Sequence, residues 1–593
     1  MEISRIFDIL NLYRDVYQKN DVLNAKVDGK WVHYSNQDYV NYATWFSYGL
    51  LEYGLKKNDV IVSISNNRPE WNFTDMGMNQ AGIIHAPVYP TISRDEYLYI
   101  LNHAAPKIIF ISDKVLLEKL KPVISESNSK PEIFTFNSIE GTRNWLEIIE
   151  MGKSAADKHS ATLEHIKESI NPHEMATLIY TSGTTGNPKG VMLSHHNLLS
   201  NAASARNIHN FNHKDKTLSF LPLCHVFERM VNYHFQWEGI SIYYAENMGT
   251  IADNLKEIKP ELFISVPRLI ERVYDRIIGV GKDLPFIKKR LFFWAVNLGL
   301  QFDYNSKKRP LYDFKLKIAN ALIFKNWRKA LGGNVRLIIV GGAALQPRLS
   351  RVFGAAGIPV LEGYGLTESS PVIAANNSVT GEIRVGTVGP AFENVEVKIA
   401  DDGEILCKGP NVMLGYYKEP ELTKETIDEE GWLHTGDIGE LIDGKYLRIT
   451  DRKKEMFKLS SGKYIAPQVI ENKFKESFFI EQLMVVGENE KFASALISPN
   501  FQYLHSWASL HKIRFRDNIE LIRKPLVVAC YQKEVNALNK NFGQTEYIKR
   551  FRLVPEEWTP QSGELSPTLK IKRRFIYEKY RTFLEEIYKN NNN

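Results

Sequence analysis

Short β-rich runs alternate with helix-length stretches from Trp31 to about Pro371, and this alternation limits the fold more than any other feature of the chain. The runs are DVIVSISN (59–66), IHAPVYP (84–90), KIIFIS (107–112), LFISVP (262–267) and RLIIVGG (336–342). Strands separated by helix-length segments pair in parallel, because each helix returns the chain to the same end of the sheet. The sequence therefore predicts an α/β fold with parallel-type sheets flanked by helices.

The domain organisation is predicted from the length of the chain and from a change in its residue pattern after Pro371. A chain of 593 residues is too long for one hydrophobic core. After Pro371 short strands and frequent turn residues predict a small β subdomain at about 372–450. A stretch dense in charge and glycine begins near Asp451. We therefore expect a large N-terminal domain at 1–450 and a smaller α+β C-terminal domain at 451–593, which is a common domain size.

Composition excludes several classes of protein. The 44% hydrophobic and 24% charged residues are typical of a globular protein, and we find no run of about 18 uncharged apolar residues. The first residues lack the apolar core of a signal peptide. Three distant cysteines make neither a disulfide framework nor a zinc motif, and a net charge of +6 does not indicate a nucleic-acid partner. We expect a cytoplasmic protein.

A loop suited to phosphate lies within LIYTSGTTGNPKGVML (178–193). We predict a strand at Met175–Tyr180, a second short strand at GVML, and a following helix capped by Ser194. Lys189 is followed by Gly-Val, whereas a Walker loop has Ser or Thr opening a helix. Backbone N–H groups, hydroxyls and Lys189 would therefore bind phosphate between two strands.

A second candidate region is VRLIIVGGAALQPRLSRVFGAAGIPVLEGYGLTESSP (335–371). We predict that one strand ends at Gly341-Gly342, that a helix follows, and that a second strand ends at Glu362 before a glycine turn. Ligands bind at the carboxyl ends of strands in open parallel sheets. The two loops after these strands are therefore expected to form part of a binding site.

The string YTSGTTGNPKG (180–190) resembles the phosphate loop of the adenylate-forming superfamily of acyl-CoA synthetases, peptide-synthetase adenylation domains and luciferases. Further matching motifs follow in order over nearly the whole chain: GGAA (341–344), GYGLTES (363–369), GWLHTGD (431–437), DRKKE (451–455) and SPTLKIKRR (566–574). LPLCHVFERM (221–230) and SVPRLIERVYDRI (265–277) resemble the long-chain fatty acid–CoA ligase branch. Leu569 stands where many members have glycine, a departure that also resembles this branch.

The resemblance implies roles for single residues. The expected catalytic residues are Lys570 as the adenylation lysine, Glu368 as the magnesium ligand, Thr181 and His225. Nucleotide, hinge and pantetheine contacts are expected from Thr181, Ser182, Gly183, Thr184, Thr185, Gly186, Lys189, Gly342, Ala343, Gly363, Tyr364, Gly365, Thr367, Asp437, Arg452, Lys454 and Gly462. His225 has a second interpretation, because a lone histidine beside apolar residues is commonly a packed core residue.

The resemblance also implies a reaction. A fatty carboxylate and MgATP would form acyl-adenylate and pyrophosphate, and the acyl group would then pass to coenzyme A. The C-terminal domain would rotate about Lys454 between these steps, so that KLSSGKY (458–464) replaces Lys570. An alternative enzyme would load acyl carrier protein, and the acceptor, acyl chain length and oligomeric state stay open at this point.

Two classes of function outside ligation are disfavoured. A non-catalytic scaffold predicts the loss of Lys189, Glu368 or Lys570, and all three are present. A P-loop NTPase predicts the Lys-Ser/Thr step that this chain lacks.

Residues 286–330 hold eleven Lys or Arg and two Asp, interleaved with Phe, Trp and Tyr. Basic charge beside apolar surface suits contact with an anionic membrane. Ordinary helices with a buried apolar stripe and solvated lysines would show the same pattern. The sequence leaves both interpretations open.

Overall fold

The computed structural model describes residues 2–181, 187–306, 309–566 and 569–589. The chain divides into two compact units. The first unit comprises Met1–Lys398, Leu406–His434 and Asp443–Leu447, and the second comprises Ile399–Ile405, Thr435–Ile442 and Arg448–Asn593. The domain boundary expected at Asp451 stays a prediction.

The strands are, in chain order, β1 (Leu23–Val27), β2 (Lys30–Tyr34), β3 (Val60–Ile64), β4 (Ile84–Val88), β5 (Ile108–Ile111), β6 (Glu132–Thr135), β7 (Arg143–Asn144), β8 (Met175–Thr181), β9 (Lys189–Ser194), β10 (Lys216–Ser219), β11 (Ser241–Tyr244), β12 (Leu262–Ser265), β13 (Leu337–Val340), β14 (Val360–Gly365), β15 (Val372–Ala375), β16 (Glu396–Ile399), β17 (Glu404–Lys408), β18 (Gly415–Tyr416), β19 (Leu433–Ile442), β20 (Tyr446–Arg452), β21 (Phe457–Lys458), β22 (Tyr464–Ile465), β23 (Ile480–Val486), β24 (Ser494–Pro499) and β25 (Arg550–Leu553).

The helices are α1 (Ile9–Asp15), α2 (Asn36–Glu52), α3 (Pro69–Gln80), α4 (Arg94–Ala104), α5 (Lys114–Glu126), α6 (Trp145–Ser154), α7 (Ala156–Ser169), α8 (His195–Ala205), α9 (Val226–Trp237), α10 (Ile251–Ile258), α11 (Pro267–Lys282), α12 (Phe286–Gly299), α13 (Pro310–Ala319), α14 (Lys325–Ala330), α15 (Pro347–Ala355), α16 (Pro420–Thr426), α17 (Pro467–Phe474), α18 (Phe501–Leu510), α19 (Asn518–Arg523), α20 (Pro525–Asn539), α21 (Arg573–Lys579) and α22 (Arg581–Lys589). Single 3-10 turns lie at Ile6–Asp8, Arg206–Ile208 and Thr367–Ser369, and a π-helical turn lies at Asn320–Phe324.

Two large sheets organise the first unit. One has the strand order β15-β14-β13-β12-β10-β11-β1-β2, and the other has β18-β9-β8-β4-β3-β5-β6-β7. Their inner strands pair in parallel, as β13 does with β12 and β14, and as β3 does with β4 and β5. Every residue of β3, β4 and β5 is buried, which explains why their sequences are nearly continuous apolar runs. The predicted α/β fold is confirmed.

Smaller sheets complete the chain. Strands β16, β17, β19 and β20 form a four-stranded sheet in the order β16-β17-β19-β20, and β21 pairs with β22. The second unit contains the sheet β23-β24-β25, whose successive side chains face opposite sides. Leu483 and Val485 pack in one hydrophobic cluster, whereas Met484 and Val486 pack in another. In the described ranges, no helix has the length and apolar character needed to cross a bilayer.

Candidate functional site

The phosphate-binding stretch joins the two strands of a hairpin. β8 and β9 pair antiparallel, and Thr181 lies opposite Lys189 where the loop begins. Helix α8 starts after Ser194, whose hydroxyl accepts the Asn197 N–H at 3.0 Å. Both predicted strands and the predicted cap are confirmed. Five of the expected phosphate contacts lie outside the described residues: Ser182, Gly183, Thr184, Thr185 and Gly186.

Lys189 and Glu368 are joined through Tyr416. Nζ of Lys189 lies 5.0 Å from the centre of the Tyr416 ring. The Tyr416 hydroxyl donates a 2.8 Å hydrogen bond to Oε1 of Glu368. Burial, followed by the charge of Glu368, raises the pKa of Tyr416, so its hydroxyl remains a donor at neutral pH. One aromatic side chain therefore holds both a cation and a carboxylate.

The backbone fixes Tyr416 at this position. β18 pairs antiparallel with β9, with Tyr416 opposite Val191. The Met413 N–H also donates to the Glu368 carbonyl oxygen at 2.9 Å. Tyr416 is not predictable from the sequence, because no motif marks an aromatic residue on a two-residue strand that is remote in sequence from both of its partners.

The strand before the Thr367–Ser369 turn is longer than predicted. The sequence placed its end at Glu362, but β14 continues to Gly365 because β15 pairs beside it in the antiparallel direction. A Cβ atom at Gly365 would lie 1.7 Å from the Pro371 carbonyl oxygen, so this position requires glycine. The strand carries three expected nucleotide contacts, Gly363, Tyr364 and Gly365, and the turn carries Thr367 and Glu368.

The Gly341–Ala344 turn follows β13 and packs closely against two other elements. A Cβ atom at Gly341 would lie 3.1 Å from the Phe227 ring on α9 and 3.6 Å from the Gly363 carbonyl oxygen on β14. Gly342 has φ 83°, and it is exposed together with Ala343. The turn therefore presents exposed backbone at the carboxyl end of the sheet, as expected.

Glu362 anchors the far end of this turn. Its buried carboxyl group accepts the Leu345 N–H at 2.8 Å. Burial raises the pKa of Glu362 to about 8, so the group is largely protonated at neutral pH. Glu362 was not among the residues predicted for the site, although its place at a predicted strand end was a signal that could have indicated it.

His225 caps the N-terminus of α9. Its Nδ1 accepts the Phe227 N–H at 3.1 Å, so the ring proton of the neutral form lies on Nε2. The ring is partly exposed and meets the edge of Tyr89 with 6.3 Å between centroids. Since Phe227 also touches the Gly341 turn, His225 lies on the same side of the unit as that turn.

Helix α9 is buried although it is rich in polar groups. It carries the buried residues Glu228, Arg229, Asn232, Tyr233, His234 and Gln236. Arg229 and Asp75 form a fully buried ion pair at 2.5 Å, and Nδ1 of His85 lies 2.6 Å from the same oxygen. Burial alone would raise the pKa of Asp75, but Arg229 and His85 outweigh it and hold that pKa below its usual range.

A second buried network starts at Glu228. Ser219 donates to its Oε1 at 2.5 Å, and the Asn232 amide donates to the same oxygen at 3.2 Å. Hydrogen bonds continue the chain through Tyr244, Asn72, Gln236 and Tyr39. Burial raises the pKa of Glu228 to about 8. The two networks together hold α9, and with it His225, in a fixed orientation.

Two buried histidines form a third contact of α9. Nδ1 of His234 donates to the Ala202 carbonyl oxygen at 3.0 Å, which leaves Nε2 to accept from Nε2 of His209 at 2.6 Å. Burial lowers the pKa of His209 to about 4 and that of His234 well below its usual value. Both rings are therefore neutral.

Asp437 and Arg452 are in contact within the second unit. Nε of Arg452 donates to Oδ1 of Asp437 at 2.9 Å. Glu404 supports the same loop, because it accepts the Gly436 N–H at 2.8 Å and pairs with Lys453 at 2.8 Å. The structure thus brings together Asp437, expected to contact the ribose hydroxyls, and Arg452, expected to contact ribose or phosphate.

Backbone hydrogen bonds join Lys570 and Leu569 to Ser566 in the second unit. The Leu569 N–H donates to the Ser566 carbonyl at 2.8 Å, and the Ser566 N–H donates to the Lys570 carbonyl at 2.7 Å. Leu569 has φ 62°, a left-handed conformation that glycine adopts more readily than leucine. Here the Leu569 side chain packs against the cluster containing Leu565 and Ile576.

The remaining expected residues lie on turns. Gly462 has φ 78° between β21 and β22, and no heavy atom lies within 4 Å of its Cβ position. Lys454 is exposed in the turn after β20.

Asp451 lies three residues before Lys454 and is buried. Its carboxyl group accepts the N–H groups of Arg452 at 2.6 Å and Gln468 at 3.1 Å. Burial raises the pKa of Asp451 to about 7.

Residues 286–330 expose apolar side chains. Phe286 and Ile287 at the start of α12 are 73% and 81% exposed, and Leu311 and Phe314 on α13 are 68% and 62% exposed. Ile318 and Leu322 continue the α13 stripe at helical spacing. Exposed basic residues accompany it, namely Lys288, Lys289, Arg290, Lys315, Lys317, Lys325 and Lys329. We call these apolar and basic residues together the basic–apolar surface.

Two protein-family models together match most of the chain. The AMP-binding enzyme family matches residues 14–417, and the AMP-binding enzyme C-terminal domain matches residues 454–592. The peroxisomal long chain acyl-CoA synthetase 7 of Arabidopsis thaliana is 32% identical over 605 residues, which cover 96% of this chain and 84% of that protein. The human long-chain-fatty-acid–CoA ligase 1 is 32% identical over 573 residues, which cover 91% of this chain and 80% of that protein.

Solved structures share the fold. The adenylation domain of a carboxylate reductase from Mycobacterium chelonae aligns with a TM-score of 0.74 at 20% identity, covering 99% of this chain and 91% of that one. An anthranilate CoA ligase in complex with anthranoyl-AMP aligns with a TM-score of 0.69 at 18% identity, covering 97% of both chains.

Proposed function

We propose the function of this chain from one premise: it belongs to the AMP-binding enzyme family and to the long-chain fatty acid–CoA ligase branch of that family. It is an ATP-dependent, AMP-forming acyl-CoA synthetase that joins a long-chain fatty acid to coenzyme A. The observation that carries the assignment of its site is the contact of Tyr416 with both Lys189 and Glu368.

The first half-reaction activates the carboxylate. A carboxylate oxygen attacks the α-phosphorus of ATP, the bond to the β-phosphate breaks, and pyrophosphate leaves. Such a step requires mainly positioning and neutralisation of charge. Lys189 and the hairpin loop would bind the departing phosphates, and Lys570 would contact the carboxylate and α-phosphate oxygens. Tyr364, Asp437 and Arg452 would hold the adenosine.

Magnesium would be held through Glu368. In the described ranges, no three His, Cys, Asp or Glu side chains are grouped to bind a metal ion. A single partly exposed carboxylate fits the usual Mg²⁺ arrangement, in which substrate phosphates and water supply the other ligands. When bound, the ion would neutralise phosphate charge. Tyr416, which bonds Oε1, would orient the carboxylate toward it.

The second half-reaction forms the thioester. The sulfur of coenzyme A attacks the acyl carbonyl carbon, AMP leaves, and the thiol proton is released. Lys570 has no part in this step. The domain carrying Lys570 would rotate about Lys454, and Gly462 would then lie beside the pantetheine, where a residue without a side chain permits close approach.

Lys570→Ala separates the two half-reactions. We expect pyrophosphate release to fall by at least about 100-fold, in line with the loss of a group that stabilises transition-state charge. Thioester formation from supplied acyl-adenylate should stay within about twofold of the unchanged enzyme. Equal loss of both half-reactions would contradict the assignment of Lys570 to the first.

The acceptor is tested directly. Purified enzyme with a long-chain fatty acid, MgATP and either coenzyme A or acyl carrier protein should form thioester with coenzyme A and release AMP. Thioester formed only on the carrier protein would replace this proposal with the alternative ligase. Release of ADP would reject both.

We also propose that the enzyme is cytoplasmic and binds the surface of anionic membranes through the basic–apolar surface. Leu311, Phe314 and Ile318 share one exposed helical face, and exposed lysines accompany it. Insertion of apolar side chains and attraction of lysines to acidic headgroups act together at a bilayer surface. The enzyme would thus work where fatty acids partition.

Vesicle sedimentation tests the membrane contact. The enzyme should sediment with vesicles that contain phosphatidylglycerol and far less with phosphatidylcholine alone. Leu311→Ser with Phe314→Ser should reduce binding at least about fivefold, whereas the control Leu510→Ser, at a side chain 82% exposed in the second unit, should not. Equal sedimentation of both variants would contradict the assigned surface.

A further inference from the structure

Arg573 makes a dense set of contacts three residues after Lys570. Its Nη2 donates to both carboxylate oxygens of Glu471 at 2.7 and 2.8 Å. Its Nε donates to Oε2 of Glu455 at 3.0 Å, and Nη1 donates to the Val485 carbonyl oxygen at 3.3 Å. The side chain is only 22% exposed. This geometry uses the planar fork of arginine, which lysine cannot reproduce.

The partners of Arg573 come from three separate segments. Glu455 directly follows Lys454, and Gln468 donates to the same Oε2 at 3.0 Å. Glu471 lies on α17 and also accepts the Val485 N–H of β23 at 2.8 Å. Arg573 therefore ties the start of α21 to the residue next to the expected hinge and to the core of the second unit.

A short hydrogen-bonded segment connects Arg573 to Lys570. The Lys572 N–H donates to the Glu564 carbonyl oxygen at 2.8 Å, and Leu565 and Ile571 form an antiparallel bridge. The Lys570 N–H donates to Oγ of Ser566 at 3.0 Å. The Glu564 carboxylate is itself buried and pairs with Lys579 at 2.5 Å. These contacts fix the backbone of Lys570 relative to Arg573.

We propose that Arg573 is a positioning residue for adenylation, which fixes Lys570 at a constant offset from the hinge at Lys454. The inference rests on the proposed role of Lys570 in the first half-reaction. When the C-terminal part of the chain turns about the hinge, the tie from Glu455 through Arg573 carries Lys570 with it. Without the tie, Lys570 would sample many positions, and fewer of them would meet the reacting oxygens.

Arg573→Lys tests the positioning role. The variant keeps the positive charge, but a single ammonium group cannot contact Glu471, Glu455 and the Val485 carbonyl oxygen at once. We expect kcat for pyrophosphate release to fall at least about tenfold with little change in the KM for ATP. Thioester formation from supplied acyl-adenylate should change by less than about twofold. Arg574→Lys is the matched control, since Arg574 is 77% exposed and pairs along its own helix with Glu578.

A double variant separates positioning from stability. Arg573→Met alone leaves Glu471 charged and buried, which destabilises the unit. Arg573→Met with Glu471→Gln removes that charge, and we expect its melting temperature to recover while pyrophosphate release stays at least about tenfold low. Recovery of release together with melting temperature would show a purely structural role and overturn the proposal. Failure of Lys570→Ala to impair release would instead overturn the proposed role of Lys570.

Discussion

Tyr416 donates its hydroxyl to Glu368 while its ring faces the ammonium group of Lys189. Tyr416→Phe keeps the ring and removes the hydrogen bond. Because a hydrogen bond to a charged group contributes about 1.5–3 kcal/mol, we expect kcat/KM for ATP to fall about tenfold or more. The Mg²⁺ concentration for half-maximal rate should rise in the same titration.

Tyr417→Phe provides the control for this prediction, because it makes the same chemical change at the adjacent residue. Tyr416→Leu should be weaker still than Tyr416→Phe, since it also removes the aromatic surface beside Lys189. Tyr416→Phe with an unchanged Mg²⁺ titration would show that the hydroxyl does not orient Glu368.

Glu362 links stability to pH on the alkaline side. Burial raises its pKa from 4.5 to about 8, so between these values the folded chain keeps a proton that the unfolded chain has lost. Stability from this group is present below pH 4.5 and is lost as pH rises through about 8. Glu362→Gln keeps an acceptor for the Leu345 N–H. Urea unfolding from pH 6 to 9 should show a shallower decline for this variant than for the unchanged chain.

His209 links stability to pH on the acid side. Burial lowers its pKa from 6.5 to about 4, so the unfolded chain binds a proton first as the pH falls. Stability is therefore complete above pH 6.5 and declines toward pH 4, on the order of 3 kcal/mol for this group. His209→Gln retains an N–H donor for His234 and should make that decline less steep. An identical pH profile would exclude His209 as a contributor.

Gly365 tests the geometry of β14. Gly365→Ala would place Cβ 1.7 Å from the Pro371 carbonyl oxygen, and we expect a loss of about 2 kcal/mol or more in unfolding free energy. Gly279→Ala is the control, because Gly279 lies in α11 with no heavy atom near its Cβ position. That control should be neutral or stabilising by up to about 1 kcal/mol. Similar effects of both changes would contradict the close approach.

The sequence predicted those parts of the fold that depend on local pattern. Continuous apolar runs indicated β3, β4 and β5 because buried parallel strands need no polar face. The cap at Ser194 and the strands around the phosphate loop followed from side-chain chemistry within a few residues. The end of β14 was placed too early, because its extension to Gly365 depends on pairing with a later strand.

Contacts between remote segments could not be predicted. Tyr416 lies on a two-residue strand whose pairing with β9 is a tertiary property. The apolar stripe on α13 was ambiguous, since the same spacing serves a core or a surface. In the structure Leu311 and Phe314 are exposed, so this stripe lies on the surface and not in the core.

Helix α9 cannot slide or turn by one residue without a large penalty. Such a shift would separate Arg229 from Asp75 and Glu228 from Ser219 inside the protein, and buried polar groups without partners are strongly destabilising. The buried charged and polar contacts thus set the register of α9, and they thereby fix the position of His225 at its N-cap.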